Sequence, residues 1–209
     1  MSSTRKKIMD YLSRWEGNHL HKNSTEDYIT SAYGIYKKSF PDAAIFKFYE
    51  QIADELGVST FDRPGREVIN KFMDANPIYK EVEEDLAWQF YVDNFMGNTI
   101  LQYLPPKSAL SFFSISVNGG KKRANKALQT AVNKVYEEYQ VPKHLVVDGI
   151  VGKGTKTALK ELVGNGLVDD NIFNQYMLEY MNNFYHYLAK KNLKNMLDIW
   201  MVGLIDLKG

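Results

Sequence analysis

The sequence predicts an all-α protein, or nearly so, with at most a short β-hairpin or loop after the first helix. Three observations predict it. Apolar residues recur with a helical period along most of the chain. Glycines and prolines fall where those periodic stretches should start or stop. Sustained alternation of period two is nearly absent, and the best strand candidate, LVVDGIVG at 145–152, is too short to build a sheet on its own.

The elements follow in order. Ile8, Tyr11, Leu12 and Trp15 stand at i, i+3, i+4 and i+7, with Ser2 or Ser3 as N-cap and Gly17 as the stop. Phe40 to Leu56 reads as a second helix closed by Gly57, and Ile78 to Met96 as a third, opened by Pro77 and closed by Gly97. Pro105-Pro106 interrupts the pattern before a short apolar helix, Ala109 to Val117. After Gly119-Gly120 comes an amphipathic helix, Lys121 to Tyr139, and then helices near 156–163, 170–190 and 193–202. There is no repeat or low-complexity tract, so Pro105-Pro106 marks the one internal seam and divides the chain into regions 1–105 and 106–209.

Composition excludes several functions. The chain has 209 residues, 44% of them apolar and 24% charged, which is ordinary globular usage. A formal net charge of +1 gives no bulk attraction to nucleic acid. The absence of cysteine removes disulfides, thiolate nucleophiles and Cys-based zinc sites together. The histidines nearest each other, His19 and His21, lack the i, i+4 spacing of a helical zinc pair, so no metal or organic cofactor is expected. The opening MSSTRKKIMDYLSRWEG has no apolar h-region, and MLDIWMVGLIDL is interrupted by Asp198 and Asp206. The expectation is a cytoplasmically made monomer without stable membrane insertion.

Chemistry concentrates in RWEGNHLHKNSTEDYITSAYGIY, residues 14–36. Glu16 lies four residues after Leu12, so it extends the apolar stripe at the end of the first helix. Two effects there disfavour its ionised form: the partial negative charge of a helix C-terminus and desolvation beside Trp15. A carboxylic acid held protonated is what general-acid cleavage of a glycosidic bond requires. The following loop offers Glu26, Asp27, Thr30 and Ser31 as candidates for the second group, a carboxylate or the holder of a water. Ser24 or Thr25 would equally serve as a helix N-cap. Trp15 and Tyr33 flank Glu16 and are candidate sugar contacts.

Glu16-Gly17, a polar loop, a hydroxyl residue and then Tyr33-Gly34-Ile35 resemble the N-terminal signature of glycoside hydrolase family 108, lysozyme-like N-acetylmuramidases of phages and bacteria. ISVNGGKKRANKALQTAVN followed by VDGIVGKGTKTAL resembles the family's C-terminal peptidoglycan-binding part. The resemblance covers both ends of the chain, and residues 37–105 match only in helical character. Asn18 and His19 stand where the family has glycine and tyrosine. Counting back from Tyr33 aligns Glu26 and Ser31 with the loop residues of the motif, and counting forward from Glu16 aligns Thr30.

The resemblance implies a lysozyme-like fold and cleavage of the β-1,4 bond between N-acetylmuramic acid and N-acetylglucosamine, with Glu16 as general acid. It further implies glycan contacts at Asn118, Gln129 and Asp148, and peptidoglycan glycan strands as partner. An endolysin of this kind is made in the host cytoplasm and acts at the periplasmic wall once a separate holin-type pore releases it. Rival readings are a non-catalytic wall-binding or virion protein on the same scaffold, and a chitinase-like glycosidase.

Two features outside that site stand out. Asp148-Gly149 is a turn signal, and Thr155 suits an N-cap, so this turn is assigned a structural role first. Lys121, Lys122, Arg123 and Lys126 crowd the start of a helix, the unfavourable end for cations, which hints at a surface selected for a polyanion.

Overall fold

A computed structural model describes residues 3–22, 30–60 and 62–190. Glu26, Asp27 and the helix expected at 193–202 lie outside the described residues. The chain resolves into two compact units, one built on Arg5–Asp93 and the other on residues from Asn94 onward. Most described residues are helical, and the only strands among them form one small sheet directly after the first helix.

In the first unit, α1 (Ser3–Trp15) leads into a three-stranded antiparallel sheet of β1 (His21–Lys22), β2 (Thr30–Ala32) and β3 (Ile35–Tyr36), in that order. His21 pairs with Ser31 and Lys22 with Thr30, while Ser31 pairs with Tyr36 and Ala32 with Ile35. The expected hairpin is thus joined by a third short strand. Three helices follow: α2 (Ala44–Leu56), α3 (Arg63–Ala75) and α4 (Pro77–Tyr91), each in contact with the other two. Their common core takes Ile45, Phe46, Tyr49, Ile52, Ile69, Met73 and Ala87, with Ile8 and Leu12 of α1 also fully buried.

Helix α2 starts at Ala44 and not at Phe40, because Phe40 precedes Pro41 and that steric clash disfavours the α conformation. Helix α3 was not expected from periodicity. Its start is nevertheless encoded: the Asp62 carboxylate accepts the Gly65 N–H at 2.7 Å, and Pro64 lies in the first turn. The third expected helix appears as α4 continued by a π-helical segment, Val92–Met96.

The second unit contains α5 (Asn98–Leu101), α6 (Pro106–Gly119), α7 (Lys121–Glu138), α8 (Lys153–Gly164) and α9 (Asp170–Lys190). Helices α6, α7 and α9 pack mutually, and α8 packs on α7. Asp170 ties the ends of α6 and α9 together. Its carboxylate accepts the backbone N–H groups of Lys107 and Ser108, each at 2.9 Å, and the Ser108 hydroxyl at 2.7 Å. It thereby satisfies donors that the first turn of α6 leaves free, with the charge sign that a helix N-terminus favours.

Residues 145–152 are not a strand. Their backbone is held by side-chain amides of α7, which take the place of a neighbouring strand. Asn133 donates to the Leu145 carbonyl at 2.9 Å and accepts the Leu145 N–H at 2.7 Å. Asn125 donates to the Gly149 carbonyl at 2.9 Å, and Gln129 accepts the Gly149 N–H at 2.8 Å. Helix α8 already starts at Lys153, so Thr155 is not its N-cap; it is buried, with its hydroxyl oxygen 3.4 Å from the Gln129 amide nitrogen.

Replacing Asp170 by Ala removes the shared cap and should cost the protein about 1–2 kcal/mol of stability. Urea denaturation of wild type and variant checks this.

Candidate active site

The site grows from the end of α1. The Glu16 N–H still bonds the Leu12 carbonyl at 2.8 Å, so the helical geometry carries one residue past Trp15. The chain then turns through Gly17 into His19, whose backbone is left-handed at φ +50°. At the far side of the sheet, Tyr33 and Gly34 form the two-residue turn between β2 and β3, with φ of +50° and +75°. Positive φ at both positions is the signature of a type I′ hairpin turn. Glycine adopts it freely, but a tyrosine there is strained.

What holds both strained residues is one buried carboxylate. Glu83 of α4 is fully inaccessible to solvent. It accepts His19 Nδ1–H at 2.8 Å, the Tyr33 hydroxyl at 3.3 Å and the hydroxyl of Tyr49 from α2. The other ring nitrogen, His19 Nε2, lies 3.1 Å from the carboxylate of Asp74 on α3. Both partners of the ring are carboxylates, an arrangement that favours the protonated imidazole, in which both nitrogens donate. The hydrogen bond to Glu83 is the main reason that the His19 pKa is raised, against an opposing effect of burial. Asn70, also on α3, donates to the Leu20 carbonyl at 2.8 Å. The Tyr91 hydroxyl donates to the Tyr33 carbonyl at 2.6 Å.

The clamped turn seats Glu16. A Cβ placed on Gly34 would lie 2.9 Å from Glu16 Cγ and Oε2 and 3.0 Å from Cδ. Only glycine leaves room for that carboxyl arm. As a residue Glu16 is exposed, so it is covered on the Gly34 side and open on another. Burial raises its pKa, and His21 opposes that effect. His21 in turn is fixed from both ends. Its Nδ1 lies 3.4 Å from the His19 carbonyl oxygen and its Nε2 3.1 Å from the Ser31 hydroxyl oxygen.

The residues expected at the site therefore separate. Ser31 contacts His21, and His21 acts electrostatically on Glu16. Thr30 is in β2 and pairs with Lys22 through the backbone, while its side chain, like Glu26 and Asp27, lies outside what is described. The strands that carry His21 and Ser31 are the ones from which the segment bearing Glu26 and Asp27 leaves and to which it returns. Trp15 is 46% exposed and remains available to a sugar ring.

Tyr33 is not available. It is completely buried, with its hydroxyl on Glu83, so it is a structural residue of the turn. Gln129 is likewise buried. Its amide nitrogen bonds the Asp148 carboxylate at 2.8 Å and holds that pKa down, so both residues are engaged in closing the 145–150 loop. Asn118 is exposed near the end of α6.

Sequence reasoning missed His21, Glu83 and the reason for Gly34. The alternation His19-Leu20-His21 was a short signal for a strand entry. Glu83 carried no local signal, since its partners are 34 to 64 residues away. Among the described residues, no group of three or more His, Asp and Glu side chains is arranged to hold a metal ion.

No protein-family model matches this chain, and neither does any curated protein or solved structure.

Folding raises the pKa of His19, so between the unfolded and folded values the native chain holds a proton that the unfolded chain has released. The stabilisation is complete below about pH 6.5, the ordinary histidine value, and is lost as pH rises through the folded pKa. Urea denaturation across that range should show wild type losing stability with rising pH. His19→Asn, tolerant of left-handed backbone and without a titrating ring, should lack that loss. Glu83→Ala should cost about 3–5 kcal/mol, because it orphans several buried donors at once.

Proposed function

We propose that the chain is a peptidoglycan hydrolase, an N-acetylmuramidase that cleaves the β-1,4 bond between N-acetylmuramic acid and N-acetylglucosamine. The observation that carries this reading is the seating of Glu16. Its carboxyl arm is pressed against Gly34 on one side and open on another, and partial burial raises its pKa above the ordinary glutamate value. That combination suits protonation of a leaving glycosidic oxygen by a group whose pKa is tuned upward. The motif resemblance to glycoside hydrolase family 108 points to the same residue and the same substrate class.

In this mechanism Glu16 donates its proton to the oxygen between the two sugars. Glu26 or Asp27 supplies the second carboxylate, or Ser31 and His21 orient the attacking water on the opposite face of the ring. His21 has a further effect on the acid. It opposes the upward shift of the Glu16 pKa and so sets how strong an acid Glu16 is. Trp15 is the exposed aromatic platform beside the acid.

The test is loss of turbidity of outer-membrane-stripped Gram-negative cells, with circular dichroism confirming the fold. Wild type should clear the suspension, and Glu16→Gln should be slower by roughly 10²–10⁴-fold, the usual worth of a general acid. Clearing by the variant at the wild-type rate would sink the assignment. If neither protein clears the cells but both sediment with sacculi, the chain is a binding protein on this scaffold. Release of chitin fragments without muropeptides would identify a chitinase-like enzyme.

The acid must be protonated to act. The wild-type rate should therefore fall as pH rises through the elevated Glu16 pKa, and the upper limb of the pH–rate profile should lie above the ordinary glutamate value.

A further inference from the structure

The loop that α7 clamps has an unusual outer surface. Val146 is 78% exposed, Ile150 67% and Val147 36%. Three aliphatic side chains thus project into solvent from a segment whose backbone is fixed by Asn125, Gln129 and Asn133. Side chains that only completed a fold would be turned inward by that clamp. Instead the backbone polar atoms of the turn face in, while the Asp148 side chain stays exposed. Asp148 accepts from Gln129 and from the Ile150 N–H, and the Gly149 N–H and both the Gly149 and Ile150 carbonyls bond α7 amides.

Beside this knuckle lies a cationic cavity of about 470 Å³. Lys121, Lys122, Arg123 and Lys126 line it together with Tyr180 and Phe184 of α9, and no carboxylate is among its lining residues. The two features adjoin: a Cβ on Gly149 would stand 2.7 Å from Lys122 Cγ and 3.2 Å from Lys126 Cγ, so the turn lies directly on the basic side chains. Gly149 has φ +82°, and any side chain there would also meet the Lys122 carbonyl at 2.8 Å. The guanidinium of Arg123 stacks 3.7 Å from the Phe184 ring centre, which fixes one of the four cations.

We infer that this face of the second unit binds the surface of an anionic lipid bilayer, with Val146, Val147 and Ile150 entering the interface and the basic cavity receiving lipid phosphates. The backbone polar groups that a glycan would use at Gly149 and Ile150 are instead taken up by α7 amides and by the Asp148 carboxylate. A bilayer interface needs exposed aliphatics flanked by cations, which is what the loop and the start of α7 present. The attachment is peripheral, since no helix among the described residues is long and apolar enough to cross a membrane. It does not depend on Glu16.

The test is sedimentation of the full chain with vesicles of phosphatidylcholine alone and of phosphatidylcholine mixed with phosphatidylglycerol. Using Glu16→Gln protein keeps the result separate from the fate of the catalytic reading. Binding should appear with the anionic vesicles, weaken with added salt, and be absent from the neutral ones. Val146→Ser/Ile150→Ser and Lys121→Gln/Lys122→Gln alter only exposed side chains. Each pair should lower the partition coefficient by roughly tenfold or more. Failure of the parent to bind anionic vesicles, or equal binding by the paired variants, overturns the inference. So does binding to purified sacculi that is lost in those variants while both vesicle types are ignored, an outcome that assigns the face to glycan instead.

Discussion

The first unit depends on the carboxylate of Glu83. A buried anion without partners is costly enough that a chain would protonate it or exclude it from the core. Here it is surrounded by donors from distant parts of the chain: the imidazolium of His19, the hydroxyl of Tyr33 and the hydroxyl of Tyr49. Those groups come from the segment after α1, the hairpin turn and α2. Satisfying one carboxylate therefore requires all three to be in place. It also stabilises two left-handed, non-glycine backbones that would otherwise relax. The surroundings of Glu16 are fixed by Glu83 through the turn at Tyr33-Gly34.

The second unit solves its polar problem differently. Instead of one charge with many donors, it uses neutral amides at i, i+4 and i+8 of α7, namely Asn125, Gln129 and Asn133, to satisfy an irregular segment. Amides offer a donor and an acceptor on one side chain, so they can mimic the edge of a strand without a charge to desolvate. Buried serines on α6 serve similar ends. Ser111 bonds Asn174 of α9, and Ser116 donates to the Phe95 carbonyl at 2.6 Å. The loop is thus fixed without regular secondary structure.

Most helices were legible because their apolar positions are periodic and their ends carry glycine or proline. The small sheet was hard to see, because strands of two and three residues do not establish a period. LVVDGIVG misled for the opposite reason: its β-branched run has strand composition, but side chains of α7 occupy the place of a partner strand. Glu16 could be singled out because helix position and neighbours decide its surroundings. Tyr33 could not, since an aromatic beside a catalytic candidate looks the same whether it faces a sugar or a buried Glu83. His21 and Ser31 stand ten residues apart in sequence, and only the register of β1 against β2 brings them together.

The contact between Glu16 and Gly34 has a bearing on descent. Two positions far apart in sequence share one small volume, so a side chain gained at position 34 would have to displace the Glu16 arm. A lineage that retained the glutamate would be bound to glycine at the turn. One that lost it would still be held to glycine by the φ of +75° that the turn demands, so an abandoned activity would show first at position 16.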